Sequence, residues 1–159
     1  MHTFIGLKDG LNDEDLAWLF QTGVERVVSP GTAIVREGVR PNAIFLVILG
    51  QFSVRLENVA AEPLAVLRVG ELVGEISFLE GSPASATIVA EEESAVLAID
   101  NQLLNQRIRE DAPFAARIYR SFALTAERRL RNRVDQLASL CAIGSAVRGQ
   151  SDCRMSASG

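Results

Sequence analysis

The stretch from Val73 to Ala90, VGEISFLEGSPASATIVA, brings together groups able to hold a polar ligand. Glu75 stands between apolar neighbours, with Leu72 and Val73 before it and Ile76 and Phe78 after it. A carboxylate so placed accepts hydrogen bonds from hydroxyls, as a sugar would offer. Gly74, just ahead of it, permits a strained turn or a close backbone approach. Residues 76–80 make about one helical turn, stopped by Gly81 and Pro83. The first N–H groups of such a turn have no internal partner and can bind an anion, helped by the helix dipole. Ser85 and Thr87 alternate along the strand that follows and offer hydroxyls to phosphate oxygens from one side of the sheet. An ester joining a sugar hydroxyl to a phosphate fits these parts. A plainer reading makes Glu75 a favourable charge–dipole placement and Ser-x-Thr ordinary strand composition, and residue types alone leave both open.

Catalytic chemistry fits poorly. The single histidine is His2, so neither a Ser-His-Asp nor a Cys-His arrangement can be built, nor a histidine metal cluster. No G-x-S-x-G and no Gly-rich loop ending in Lys-Ser or Lys-Thr occurs. Glu91-Glu92-Glu93 reads as a solvated turn between two strands. Cys141 and Cys153 are too few for a disulfide framework or a metal site and are expected as reduced thiols. No enzymatic activity, metal or cofactor is therefore expected.

The elements that must position Glu75 follow from hydropathy patterning. In LNDEDLAWLFQTG, Asn12 can cap a short helix whose first turn is acidic and whose Leu16, Leu19 and Phe20 share a face. Short β segments then predominate: 24–28, 32–36, 43–49, 51–57, 63–69, 85–90 and 94–99, separated by Gly, Pro and Asn. Such spacing predicts an antiparallel β jelly-roll barrel, a mainly β fold with flanking helices. Ala43 to Leu49 is apolar throughout, as in a central strand, whereas 51–57 alternates as though one face were wet. Asp100 caps a helix over 103–110, and a long helix runs from Phe114 to about Leu140. The division expected is a barrel over 1–113, a helix over 114–141 and a Gly/Ser-rich tail without structure over 142–159.

At 159 residues, 48% hydrophobic and 23% charged, the chain is long enough to bury a core and ordinary for a globular protein. Its longest apolar run has the length of a strand, and MHTFIGLKDG lacks a basic region followed by an apolar stretch. No membrane association and a cytoplasmic location are expected. The net charge of −4 divides into −9 over residues 1–113 and +5 over 114–159. Within the latter, ERRLRNR reads as a solvated helix face more readily than as a nucleic-acid patch, and nucleic acid is not an expected partner.

GEISFLEGSPASAT resembles the phosphate-binding cassette of the cyclic-nucleotide-binding domain family, the regulatory module of catabolite-activator-type regulators, cyclic-nucleotide-dependent kinases and gated channels. Gly74, Glu75, Pro83, Ser85, Ala86 and Thr87 match the family pattern in order and spacing, and Pro30-Gly31, Glu37-Gly38, Ile44-Phe45 with Gly50, and Gly70-Glu71 extend the likeness over about residues 14–140. The resemblance implies that Glu75 accepts a ribose 2′-hydroxyl and that amides around Gly74 to Ile76 hold the ring. It also implies that Ser85 and the Ser85–Ala86 amides meet a cyclic phosphate. The long helix would cap the base and pair with its twin in a homodimer.

One position departs from the pattern: Ala84 stands where the family carries its phosphate-pairing arginine. No Arg or Lys occurs between Gly70 and Asn105, so a replacement cation must come from elsewhere, with Arg36, Arg40, Arg68 or an arginine of the long helix as candidates. Phe122, Ala126, Leu130, Val134, Leu137 and Cys141 recur at three- and four-residue steps, an apolar stripe suited to packing on the barrel or on a partner helix. The module expected is a non-catalytic sensor of a cAMP- or cGMP-like ligand that relays binding through the C-terminal helix. The alternative is a ligand-independent module for dimerisation or for a protein partner. The helix-turn-helix with which DNA-binding members of the family follow their long helix is not expected here.

Overall fold

A computed structural model of the protein describes residues 10–59 and 62–148; His2, Cys153 and the tail from 149 lie outside this range. The first helix, α1 (Asp13–Thr22), opens on a reciprocal cap. Asn12 Oδ1 accepts the Asp15 N–H at 2.9 Å, and Asp15 Oδ2 accepts the Asn12 N–H at 3.1 Å. Gly23 closes α1 by donating to Leu19 O. Seven of the eight strands fall where hydropathy places them: β1 (Val24–Val28), β2 (Ala33–Val35), β3 (Ala43–Leu49), β4 (Gln51–Arg55), β5 (Ala65–Arg68), β7 (Thr87–Ala90) and β8 (Ser94–Asp100). The two-residue β6 (Leu72–Val73) was not anticipated. It pairs with Phe45 and Leu46 of β3, which no local pattern announces.

These strands form two four-stranded antiparallel sheets, β1-β8-β3-β6 and β2-β7-β4-β5, giving the jelly-roll fold expected. Between the sheets lie Phe45, Val47, Val73, Val96 and Ala98 from the first, and Val35, Phe52, Leu67, Ile88 and Ala90 from the second. The other face of the first sheet, through Ile44, Leu46, Leu72, Leu97 and Ile99, packs under the helices. Strand β3 is thus covered on both faces, which is why AIFLVIL shows no alternation. The alternating β4 differs from its expectation. Ser53, on its outer face, is fully buried beneath Arg55 and Glu91, whose side chains both bond to it. The hydrogen bond from Ser53, and next those from Arg55, hold the Glu91 carboxyl below the usual range despite partial desolvation.

The edge strand β1 carries an inward-facing cation. Arg26 is in register with the buried Val96, and its guanidinium lies 5.9 Å from the centroid of Phe45. An inward charge on an edge strand discourages edge-to-edge pairing with another chain.

Helix α2 (Glu75–Glu80) follows β6; α3 (Asn101–Glu110) and α4 (Ala112–Arg148) follow β8. Asp100 caps α3 by accepting from Gln102 and Leu103, so that helix begins two residues earlier than expected. Asp111 Oδ1 accepts the Phe114 N–H at 3.0 Å, fixing the start of α4. The fold divides into two compact units that part after Phe122. Phe114, Ile118 and Phe122 belong to the first because they are buried in its core with Leu19 and Leu104.

An ion pair reinforces this packing: Arg117 Nε and Nη2 donate to the buried Asp15 at 2.6 and 2.9 Å. Burial alone would raise the Asp15 carboxyl, but the Arg117 and Asn12 hydrogen bonds and the charges of Arg117 and Arg107 outweigh it and hold the group low. The Arg107 guanidinium stands 5.7 Å from Trp18 and 5.3 Å from Phe114.

In the second unit α4 continues to Arg148, so residues 142–148, expected to be without structure, are helical. Ala142 and Ile143 sustain the helix here at a cost of about 1 kcal/mol for Gly144.

Candidate ligand-binding site

The cassette begins where β6 turns into α2. Gly74 has φ +92° and ψ 3°, a left-handed conformation, and a Cβ there would stand 3.2 Å from Ala43 O and 3.6 Å from Ile44 Cα. Glycine is therefore required twice, by the dihedral angle and by the close passage of β3. The turn drives Glu75 inward to 1% exposure as the first residue of α2, while Ile76 remains 48% exposed. Three residues on, the Phe78 ring meets Phe122 edge-on, with centroids 6.1 Å apart, so the cassette helix touches α4 within the same unit. Gly81, at φ +67°, ends α2 and donates to Ser77 O at 2.8 Å.

Beyond Gly81 the chain is clamped to the β2–β3 connection. Gly38 N–H donates to Ala84 O at 2.8 Å, and Ala84 N–H donates to Val39 O at 3.0 Å. The methyl group of Ala84 joins the inter-sheet core at 7% exposure. Ser85 is exposed and Ala86 half-buried.

Ser85 and Thr87 do not share one side of a strand, contrary to expectation. Strand β7 begins only at Thr87, so Ser85 lies in the loop ahead of it. Thr87 is in register with Arg55, on the face of the sheet opposite to Ile88 and Ala90. Its hydroxyl accepts the Glu37 N–H at 3.0 Å and approaches Glu57 Oε1 at 3.5 Å, while the Glu57 N–H donates to Glu37 Oε2 at 2.8 Å. Thr87 thus ties the β2–β3 connection to β7. Gly74, Glu75 and Ile76 stand at the start of α2, Ala84, Ser85 and Ala86 in the loop after it, and Thr87 at the start of β7 with its hydroxyl on the face opposite to Ile88.

Two features escaped the sequence reading. One is the clamp between residues 38–39 and Ala84, which joins positions more than forty apart and leaves no local signal. The other is the place of the Arg40 guanidinium: a Cβ placed on Gly81 would stand 3.4 Å from its Nη2 and 3.8 Å from its Cζ. Arg40 is one of the cations considered from sequence, and the clamp carries it to the cassette. Chemically, the site offers a buried carboxylate for hydroxyls, main-chain donors and an arginine at the loop. Among the described residues no cluster suited to a metal ion occurs.

The family model for the cyclic nucleotide-binding domain matches residues 25–111, more than half of the sequence, and the chain belongs to that family. A cGMP-dependent protein kinase of Eimeria tenella is 36% identical over 77 residues, which make up 48% of this chain and 7% of the kinase. The chain therefore spans a small part of the length of the curated kinases it matches. The catabolite activator protein of Thermus thermophilus is similar with a TM-score of 0.67 at 28% identity, over 85% of this chain and 62% of that one. A cyclic nucleotide-binding domain of Methylobacillus flagellatus KT gives a TM-score of 0.74 at 17% identity, over 86% and 83% of the two chains, a likeness of fold. Among the described residues no helix-turn-helix occurs, and no helix is long and apolar enough to cross a membrane.

Proposed function

We propose that this chain is a cytoplasmic regulatory sensor without catalytic activity, and that it binds cAMP, cGMP or a close relative in the cassette over 74–87. The observation that carries the reading is Glu75. Gly74 turns it into the fold, where its carboxylate is 1% exposed inside a segment that the family model covers. In that position it accepts ribose hydroxyls, with the main chain around Gly74 to Ile76 and Ser85–Ala86 completing the grip. Ligand contacts at α2 reach α4 through Phe78 and Phe122, so binding biases α4 between positions already accessible to it.

The relatives support a regulatory role, since they include a cAMP-dependent protein kinase regulatory subunit of Yarrowia lipolytica. Nothing observed favours the alternative of a retired pocket. The partner proposed for α4 is a second copy of this chain, because Leu130, Val134 and Leu137 recur at four- and three-residue steps with exposures of 64, 52 and 61%. A monomeric mass in sedimentation equilibrium would remove that part of the proposal.

The test of binding is isothermal titration of the full chain with cAMP and cGMP, with Ala84→Arg alongside. Heat from either protein with either nucleotide supports the cassette as the site, whereas silence from both proteins refutes it.

A further inference from the structure

The cassette holds no cation, yet a cyclic phosphate carries a full negative charge. The cations of neighbouring elements are placed very differently. Arg26 is stacked on Phe45 from β1, which lies at the opposite edge of the sheet from β6. Arg55 is on the outer face of the other sheet and bonded to Ser53 and Glu91. Arg68 is on β5, separated from β7 by β4. Arg40 alone among these is held against the cassette loop. Residues 38 and 39 are hydrogen-bonded to Ala84 in both directions, and the next residue extends its guanidinium to Gly81. Arg40 enters no ion pair among the described residues, so its donors are not committed to a carboxylate.

We propose that Arg40, reaching over from the β2–β3 connection, supplies the phosphate-pairing cation that the cassette lacks at Ala84. The proposal rests on the reading of residues 74–87 as the site of a cyclic nucleotide. A guanidinium presents a planar fork of donors that suits phosphate oxygens, and its long side chain allows it to serve a loop adjacent to its own. Arg40 is exposed, so its attraction is screened by salt more than that of an arginine rooted in the core at position 84. The affinity conferred is therefore moderate and sensitive to ionic strength. The arrangement moves control of the phosphate from the cassette to the loop that Thr87 and Ala84 anchor.

The experiment is calorimetric titration of the full chain with cAMP, cGMP and adenosine at roughly 50 and 300 mM salt. The proteins are wild type, Arg40→Gln, Ala84→Arg and the double variant. Arg40→Gln is expected to weaken cyclic-nucleotide binding by about tenfold or more at low salt and to flatten its salt dependence. It should leave thermal stability and any adenosine binding unchanged, since adenosine keeps the ribose and base without the phosphate. The double variant is expected to recover to within about threefold of Ala84→Arg alone, because the rooted arginine makes Arg40 redundant. An Arg40→Gln affinity within about twofold of wild type overturns the proposal. Silence of wild type with binding by Ala84→Arg also overturns it, while leaving the cassette as the site. Silence of both overturns the binding reading itself and this proposal with it.

Discussion

Replacing Gly74 by alanine tests the geometry that delivers Glu75. Two costs are separable. The left-handed backbone at φ +92° is disfavoured for an L residue by about 1–2 kcal/mol. The new Cβ would also meet Ala43 O at 3.2 Å, tighter than ordinary contact. Strand β3 cannot easily recede, because it is paired to β6 and β8 and buried on both faces, so relief of that contact costs about 1–2 kcal/mol more. Gly31 supplies the control. Its φ of +84° is nearly the same, and a Cβ there meets nothing within 4 Å. Gly31→Ala should therefore cost about 1–2 kcal/mol and Gly74→Ala about 2–4 kcal/mol. At about 3–5 °C per kcal/mol for a domain of this size, the second melting point should lie at least about 3 °C below the first. Thermal unfolding followed by far-UV circular dichroism gives both values. Equal depressions would refute the claim that close passage of β3 makes glycine necessary at position 74 beyond its dihedral angle.

Removing the charge of Asp15 tests the anchor at the start of α4. Asp15→Asn should destabilise the protein by about 2–3 kcal/mol at neutral pH, because the buried charge and one of the two oxygens that accept from Arg117 are lost while Arg117 keeps partial access to water. Since the Asp15 carboxyl is held below its ordinary value in the folded state, its stabilisation is complete above the ordinary carboxylate range. It drains away as pH falls through that range toward the lower folded value. Urea midpoints between neutral and acid pH should accordingly fall less steeply in Asp15→Asn, and parallel curves would rule out the assignment. Thr87→Val should cost about 1–2 kcal/mol, since the Glu37 N–H loses its acceptor. Its cyclic-nucleotide affinity should stay within about twofold of wild type, because the hydroxyl faces away from the inner side. A tenfold loss of affinity in calorimetry would place the hydroxyl at the ligand instead.

The sequence by itself determined the class of fold and the family to which the chain belongs. Short apolar segments bounded by Gly, Pro and Asn can only bury their faces by pairing, so the strands and the jelly roll were legible. The run Gly74-Glu75 through Thr87 was legible too, because its order and spacing are local and its residue types are unusual together.

Tertiary structure decided what depends on residues distant in the chain. Strand β6 takes its place by pairing with β3. The first unit extends to Phe122 because three apolar residues of α4 find Leu19 and Leu104. Alternation within β7 could not reveal that the strand begins at Thr87 and sends that hydroxyl outward, since a shift of one residue exchanges the two faces. Nor could it reveal that residues 38–39 clamp Ala84 and bring Arg40 to Gly81. The charge missing from the cassette was visible in one dimension. Arg40 becomes a neighbour of Gly81 only after folding, because two hydrogen bonds join loops that the sequence keeps apart.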